Sequence, residues 1–414
     1  MSRPLRITFV ADAQSPIARS WIDGVAGSGH TVQVLSTYPG AAAGERWAAF
    51  ATLPTLVVRG TGARDTVRAM HLARDSGEGA HSLSPSATAG PAGLARRTLI
   101  ASRRLAEAAT APIVGRAVLR EVGGFEPDLV HALRIPHEAV HAWMALRDRP
   151  GVPFLVSSWG NDFTLHAASS RVLAALTTRV LRRADGFHAD CERDVGLART
   201  QGLLGTKPSL VVPGSGGLDT RMFVPAEVAP TAPVVLNPRS LRPYVRTDVF
   251  LLAARRVLDR RPDASFVGVG LAGSTEVVRL VEDLGIGPSV QLLPHVRHEA
   301  MASLYREART TVSPSFHDGT PNTVLEAMAC GSFPVVGDLA SLREWIADGE
   351  NGLLVDPHDP VSLGDAVLRS LDDDGLVERA RLRNRELIGR RADRCAVMKA
   401  VDEFYRVVVG ARER

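Results

Sequence analysis

Short apolar runs alternate with stretches of helical spacing along nearly the whole chain. Residues 5–10 form the first run, residues 16–28 have a helical period closed near Gly29, and residues 31–36 form a second run. This order predicts a β-helix-β start with parallel strands. Further strands are predicted at 55–58, 129–131, 154–158, 186–189 and 210–212. Loops that bind ligands in such sheets lie beyond the carboxyl ends of the strands, so residues 11–16, 131–136, 158–162 and 213–217 should share one rim.

A second alternation begins at 234–237. Helices are predicted at 248–260, 274–284 and 298–308, strands at 265–269, 290–293 and 310–312. A strand at 333–336, the segments 340–347 and 352–355, and a helix from Pro360 follow. The tail 395–414 carries Met398, Val401, Phe404, Tyr405 and Val408 at helical spacing. Residues 75–93, rich in Gly, Ser, Ala and Pro, read as a mobile loop, and 94–119 as a helix. Arg96, Arg97, Arg103 and Arg104 share a face of that helix. Two readings of the face stand: a solvated surface, or a basic contact for an anionic membrane or acceptor.

A chain of 414 residues is too long for one ordinary core, which suggests two domains. The net charge of +4 is small for this length, and the basic residues are nearly all arginine, Lys207 and Lys399 being the only lysines. No aromatic-basic surface pattern is present, so nucleic acid is not an expected partner. Cys191, Cys330 and Cys395 are scattered and form neither a metal spacing nor a disulfide framework. The chain enters its first strand without a signal-peptide core, and no run of about 18 apolar residues occurs. A cytoplasmic protein is expected, membrane-peripheral only through the arginine face.

The stretch 313–331 concentrates the chemistry. Asp318 and Glu326 stand eight positions apart across a loop that runs into a helix. Thr320 is the predicted N-cap and Pro321 the first helical residue, which leaves the amides of Asn322 and Thr323 as free donors at the positive end of the helix dipole. Such an end suits a phosphate. Glu326, further along the helix, is placed to accept bonds from sugar or ribose hydroxyls. A phosphate cradle flanked by carboxylates points to a nucleotide sugar.

This stretch resembles the carboxylate–seven residues–carboxylate motif of glycosyltransferase family 4, retaining enzymes of the GT-B fold, with Asp318 where the family usually has Glu. Pro321 and Asn322 also stand where relatives carry Gly and an aliphatic residue. The resemblance implies two Rossmann-like doubly wound α/β domains facing a cleft. An acceptor-binding domain would span 1–215, a nucleotide-sugar domain 216–394, and a C-terminal helix, about 395–414, would cross back to the first. It also implies that Asp318 holds donor-sugar hydroxyls and Glu326 the ribose, with Gly319, Thr320, Pro321, Asn322 and Thr323 lining the donor.

Two more stretches resemble the family. Residues 212–223, with Gly214, Gly216 and Gly217, resemble the hinge before the donor domain, or form a flexible linker. Residues 237–248 resemble the loop that brings an Arg and a Lys to the diphosphate. Arg239 takes the Arg place and Arg246 the Lys place, with Arg242 a rival. Pro294-His-Val-Arg297 matches the segment that clasps the base, which implicates Val296 and Arg297.

In the first domain, Ser15 either meets a ligand or caps its helix. Asp162, in the turn Trp159-Gly-Asn161-Asp162, either orients an acceptor hydroxyl or caps the following helix. His131 and His137 flank a strand end on the cleft side and are either ligand contacts or structural. No Asp-x-Asp pair stands in a metal-bridging setting, so metal independence is expected, with arginines and helix dipoles opposing the diphosphate charge. No other cofactor is expected, and the donor is a UDP-, GDP-, ADP- or dTDP-sugar. A nucleotide-sugar epimerase and a non-catalytic nucleotide-sugar-binding subunit are the alternatives to a transferase. A pyridoxal-dependent phosphorylase is disfavoured by the settings of Lys207 and Lys399.

Overall fold

The computed structural model describes residues 3–39, 41–55, 110–228 and 230–411. Two all-parallel sheets form its frame. The first has seven strands in the order β3-β2-β1-β4-β5-β6-β7. These are β1 Arg6–Ala11, β2 Thr31–Ser36, β3 Ala49–Thr52, β4 Leu129–Ala132, β5 Phe154–Ser158, β6 Gly186–Ala189 and β7 Ser209–Val211. The second has six strands in the order β10-β9-β8-β11-β12-β13. These are β8 Val234–Asn237, β9 Ser265–Val269, β10 Val290–Leu293, β11 Thr310–Ser313, β12 Phe333–Gly337 and β13 Leu353–Val355. Both are doubly wound α/β sheets whose strand order reverses at one point, β1/β4 in the first and β8/β11 in the second.

The third strand lies at Ala49–Thr52, earlier than the expected 55–58, of which only Thr55 is described. Its run Ala-Phe-Ala-Thr is short and only half-buried at the sheet edge, so its apolar signal is faint. Residues 110–125 are helical, in keeping with the later part of the helix expected at 94–119. The loop expected at 75–93 and Arg96, Arg97, Arg103 and Arg104 lie outside the described residues. Segment 340–347 is a series of turns.

Strand alternation sends each sheet's residues to two layers. Ile7, Phe9, Leu129 and Leu155 pack on one face with Trp21 and Ile22 from the Pro16–Gly27 helix. Val397, Met398, Val401, Phe404, Tyr405 and Val408 of the Arg394–Gly410 helix complete that layer, so the last helix returns to the first sheet. Val10, Val130, Ala132, Phe154 and Val156 face the opposite layer.

The same alternation places three polar residues, His131, Ser157 and His188, beneath the returning helix, and they form one continuous chain. The Trp21 indole N–H donates to Tyr405 Oη (2.9 Å), and Tyr405 donates to His131 Nδ1 (2.9 Å). His131 Nε2 donates to Ser157 Oγ (2.7 Å), Ser157 donates to His188 Nδ1 (2.9 Å), and His188 Nε2 donates to the Val212 carbonyl (3.1 Å). With both imidazoles neutral, as their burial favours, the carbonyl acceptor at the Val212 end sets the direction of every bond and both tautomers. Burial holds His131 well below the usual histidine value, with the nearby His188 adding to the effect, and lowers His188 to about 4 against the opposing bond to Val212.

The chain crosses between the sheets twice, and the crossings are bonded to each other. Leu218 N donates to the Ala392 carbonyl at 2.7 Å, and Arg394 N to the Leu218 carbonyl at 2.9 Å. Gly217 has φ +87°, and a Cβ there would stand 2.8 Å from the Ala392 oxygen, so only glycine fits. Arg394 secures the same junction, donating to Ser20 O at 2.6 Å and Ser20 Oγ at 2.9 Å.

Two predictions follow from the buried polar chain. Tyr405→Phe removes the donor to His131 Nδ1 and the acceptor for Trp21, and should destabilise the first domain by about 1–3 kcal/mol, read as a lowered urea midpoint. Both histidines have folded pKa values below the unfolded value of about 6.5. Their contribution to stability is complete above that pH and is lost as pH falls toward the value of about 4 held by His188. Melting temperature should drop across that window, and a flat profile between pH 7 and 5 would contradict neutral, buried imidazoles.

Candidate functional site

Arg239 follows β8 and Asp318 follows β11, the two strands at the reversal point of the second sheet. Asn237 Oδ1 accepts the Arg239 amide at 3.0 Å and so shapes the turn that carries the guanidinium. Arg239 Nη1 donates to Asp318 Oδ2 at 2.7 Å, with side chains only 12% and 13% exposed. Burial alone would lower the Arg239 pKa, but the Asp318 carboxylate, with Tyr244 and Tyr305 nearby, raises it, so the charge is held firmly. The Phe316 amide donates to the Tyr244 carbonyl at 3.0 Å and ties the two loops together.

The helix that follows is Asn322–Cys330. Its N-cap is Pro321, in extended conformation with no side-chain cap, and not the expected Thr320. The Thr320 hydroxyl has other partners: it donates to the Asp190 carbonyl and accepts from Trp345 Nε1 at 3.0 Å. Asn322 and Thr323 remain the first helical residues, and their amides donate to no acceptor among the described residues. The Asn322 side chain accepts from Ser215 Oγ at 3.0 Å across the cleft.

Glu326 is buried, one helical turn further on. Tyr305 donates to its Oε2 at 3.0 Å, and His298 Nδ1 lies 3.8 Å from Oε1. Desolvation raises the carboxyl pKa, opposed by His298 and the tyrosine bond. Asn237 Nδ2, Thr247 Oγ1, Ser313 Oγ, Ser315 Oγ and Thr323 Oγ1 are buried without a hydrogen-bond partner. These residues stand at the ends of β8 and β11 or on the segments that follow those strands.

The first domain presses directly on this rim. A Cβ on Gly160 would stand 2.2 Å from Gly319 N, so the two backbones touch. Asp190, Arg193 and Glu344 join the domains there, and none of them belongs to a motif legible in the sequence. The C-terminal-rim rule, applied to β6 as to its neighbours, finds Asp190 and Arg193 just beyond the strand end.

Other expected residues have different surroundings. His131 is fully buried in the polar chain beneath the returning helix and does not face the cleft, because its strand parity points it into that layer. Ser15 caps its helix, accepting from Ala18 N at 3.4 Å. Asp162 is fully buried and saturated, accepting from Arg134 Nε (3.1 Å) and Nη2 (2.6 Å) and from Trp159 N (2.8 Å). It organises its own turn and is not open to an acceptor hydroxyl. Trp159 Nε1 and Asn161 Oδ1 are buried and unpartnered, and Gly214 lies against the Trp159 ring. His137 begins a helix, its ring centroid 5.4 Å from that of His166.

Arg246 adopts a left-handed backbone and is paired with Asp248 at 2.9 Å and with His358 Nδ1, so its guanidinium is engaged within its own domain. Arg242 is exposed and donates to Tyr244 Oη at 2.9 Å. Val296 is half-buried against the second-domain core, and the exposed Arg297 precedes the His298–Glu307 helix.

Asp190, Cys191 and Asp194 are the one group among the described residues whose atoms lie close enough to share a metal. The group does not fit one. Asp194 is taken by Ser158 at 2.6 Å and Arg193 at 2.8 Å, Asp190 by backbone amides, and burial raises the Cys191 pKa and keeps its thiol protonated.

Residues 220–387 match the family described as Glycosyl transferases group 1. The chain is 28% identical over 293 residues to D-inositol 3-phosphate glycosyltransferase 2 of Catenulispora acidiphila, covering 62% of this chain and 66% of that protein. It is 29% identical over 322 residues to the D-inositol 3-phosphate glycosyltransferase of Geodermatophilus obscurus, covering 68% and 65%. The chain thus spans just under two thirds of the length of these curated relatives. Its fold is similar to that of sucrose-phosphate synthase from Thermosynechococcus elongatus, with a TM-score of 0.71, 17% identity, and 99% and 100% of the two chains covered. It is also similar to Anabaena HepE, solved in complex with UDP and glucose, with a TM-score of 0.67, 14% identity, and 96% and 98% covered. The chain has the GT-B fold, and its residues 220–387 are similar to the group 1 glycosyl transferases.

Proposed function

We propose that this protein is a retaining glycosyltransferase that moves a sugar from a nucleotide-diphosphate sugar to a hydroxyl or amine of an acceptor. The observation that carries the reading is the convergence of the Arg239 guanidinium, the Asp318 carboxylate and the open amides of Asn322 and Thr323 at one strand-reversal point. Cation and amides oppose the charge that develops on a departing diphosphate. Asp318 receives donor-sugar hydroxyls. Glu326, steadied by Tyr305, receives the ribose. The bond from the anomeric carbon to the diphosphate oxygen breaks. The acceptor oxygen or nitrogen then bonds to that carbon from the same face, and its proton passes to the leaving phosphate.

The donor nucleotide and sugar are read from relatives: HepE is solved with UDP and glucose, and the curated relatives are named for D-inositol 3-phosphate. A UDP-hexose and a phosphorylated polyol are therefore the first pair to assay. Closure of the cleft over both substrates excludes water during transfer. No helix among the described residues is long and apolar enough to cross a membrane, which is consistent with acceptors met in water or at a surface.

Arg239→Ala should weaken UDP binding about 10- to 100-fold, the loss of charge-assisted bonds to phosphate, as measured by calorimetry. Arg246→Ala should cost less, because Asp248 and His358 already hold that guanidinium. Equal losses would move the phosphate site toward Arg246. The raised pKa of Glu326 predicts that donor KM rises on acidification at a pH above the ordinary carboxylate range, and that Glu326→Gln abolishes this dependence. An unchanged profile in Glu326→Gln would remove the ribose role.

A further inference from the structure

Asp318, Gly319 and Thr320 are held from both domains, by Arg239, Ser341 and Trp345 of their own and by the turn beyond β6 in the other one. Arg193 Nη1 donates to the Asp318 carbonyl at 2.8 Å, while Nη2 donates to the Gly160 carbonyl. The guanidinium is itself fixed by Asp194 Oδ1, at 2.9 Å from Nε and 2.8 Å from Nη2, and Asp194 Oδ2 accepts from Ser158 Oγ at 2.6 Å. The Asp190 carboxylate accepts the Gly160 amide at 3.1 Å and the Thr320 amide at 3.3 Å, and the Asp190 carbonyl accepts the Thr320 hydroxyl. Contact is reciprocal. Glu344 of the second domain accepts the amides of Glu192 (2.9 Å) and Arg193 (3.2 Å) at the start of the Glu192–Thr200 helix, where a carboxylate also meets the positive end of the dipole.

Apart from the Thr320 hydroxyl, the motif meets these residues through its main chain, and the Asp318 side chain takes no bond from the other domain. Ser341, from the second domain, gives the Asp318 carbonyl its other bond, at 2.8 Å. A Cβ on Gly319 would stand 2.4 Å from Asp190 Oδ2 and 2.6 Å from Gly160 Cα, so the approach requires glycine on both sides. Asp190, Asp194 and Thr320 are all buried.

We propose that Asp190 and Arg193 are positioning residues for the donor motif, holding the Asp318–Thr320 backbone from the opposite domain so that the Asp318 carboxylate is aimed only when the cleft is closed. The proposal rests on the glycosyltransferase reading for its catalytic consequence, while its structural consequence, a latch between domains, is independent of any substrate. An aspartate-to-asparagine change at 190 is nearly isosteric, yet its amide nitrogen would oppose one of the two N–H donors, Gly160 or Thr320. At Arg193, methionine keeps the stem and removes the donors. Lysine keeps the charge and restores a single donor.

The test has two readouts. Small-angle scattering of the ligand-free full chain should show a larger radius of gyration for Arg193→Met and Asp190→Asn than for the parent protein. Calorimetry with UDP alone should change less than about threefold, since the phosphate contacts belong to the second domain. Turnover of the UDP-hexose should fall about 10- to 100-fold, mainly in kcat, with partial recovery in Arg193→Lys. If Arg193→Met does not fold, Gly160→Ala opposes the same approach from the first-domain surface and should give the same scattering change. Unchanged scattering and unchanged kcat in the folded variants would overturn the proposal. Failure of the parent protein to bind UDP would instead count against the glycosyltransferase reading, and the latch would still stand or fall on the scattering.

Discussion

A guanidinium and a carboxylate 2.7 Å apart and almost out of water form the contact on which the site depends. Such a pair is not a stabilising device in itself, because the loss of hydration offsets much of the attraction. It persists because its surroundings fix both partners. The Asn237 side chain shapes the turn below Arg239, and the Asp318 main chain is held by Ser341 on one side and Arg193 on the other. The result is a cation fixed at a strand-reversal point, on the rim where the helix with the open Asn322 and Thr323 amides begins.

A second constraint acts at long range. The five-bond chain from Trp21 to Val212 ends on the carbonyl that immediately precedes the Pro213–Gly217 turn between the sheets. Docking of the last helix and the path of the chain into the second domain therefore share one buried network. The paired crossings at Leu218 and Ala392–Arg394 close the same junction from the other side. The two domains meet through the bonded junction at one end and the Asp190–Arg193 contacts at the cleft.

Much of this was legible because it is local. The strand-helix alternation, the apolar stripe of the last helix and the 318–326 spacing are all short-range patterns, and they appear in the structure where their residues imply, except for the faint third strand. Other features were not local. Arg193 and Asp190 reach the motif across 125 and 130 residues, a distance at which sequence spacing carries no signal. Thr320 reads as a cap because caps are scored from neighbours, whereas its hydroxyl found a carbonyl in the other domain. His131 reads as a rim residue because it ends an apolar run. Its position in the alternation, beside Phe9 in the register, sends it under the last helix instead. Arg246 matched a family position, but the inserted Pro243-Tyr-Val turn brings it to Asp248 and His358.

A crystal structure of the protein with UDP tests the central claim most directly. The account predicts the diphosphate bonded to Arg239 and to the amides of Asn322 and Thr323, with a ribose hydroxyl on Glu326. A nucleotide bound at the rim of the first sheet, or one in the second domain that leaves the Arg239–Asp318 pair and both amides untouched, would contradict it.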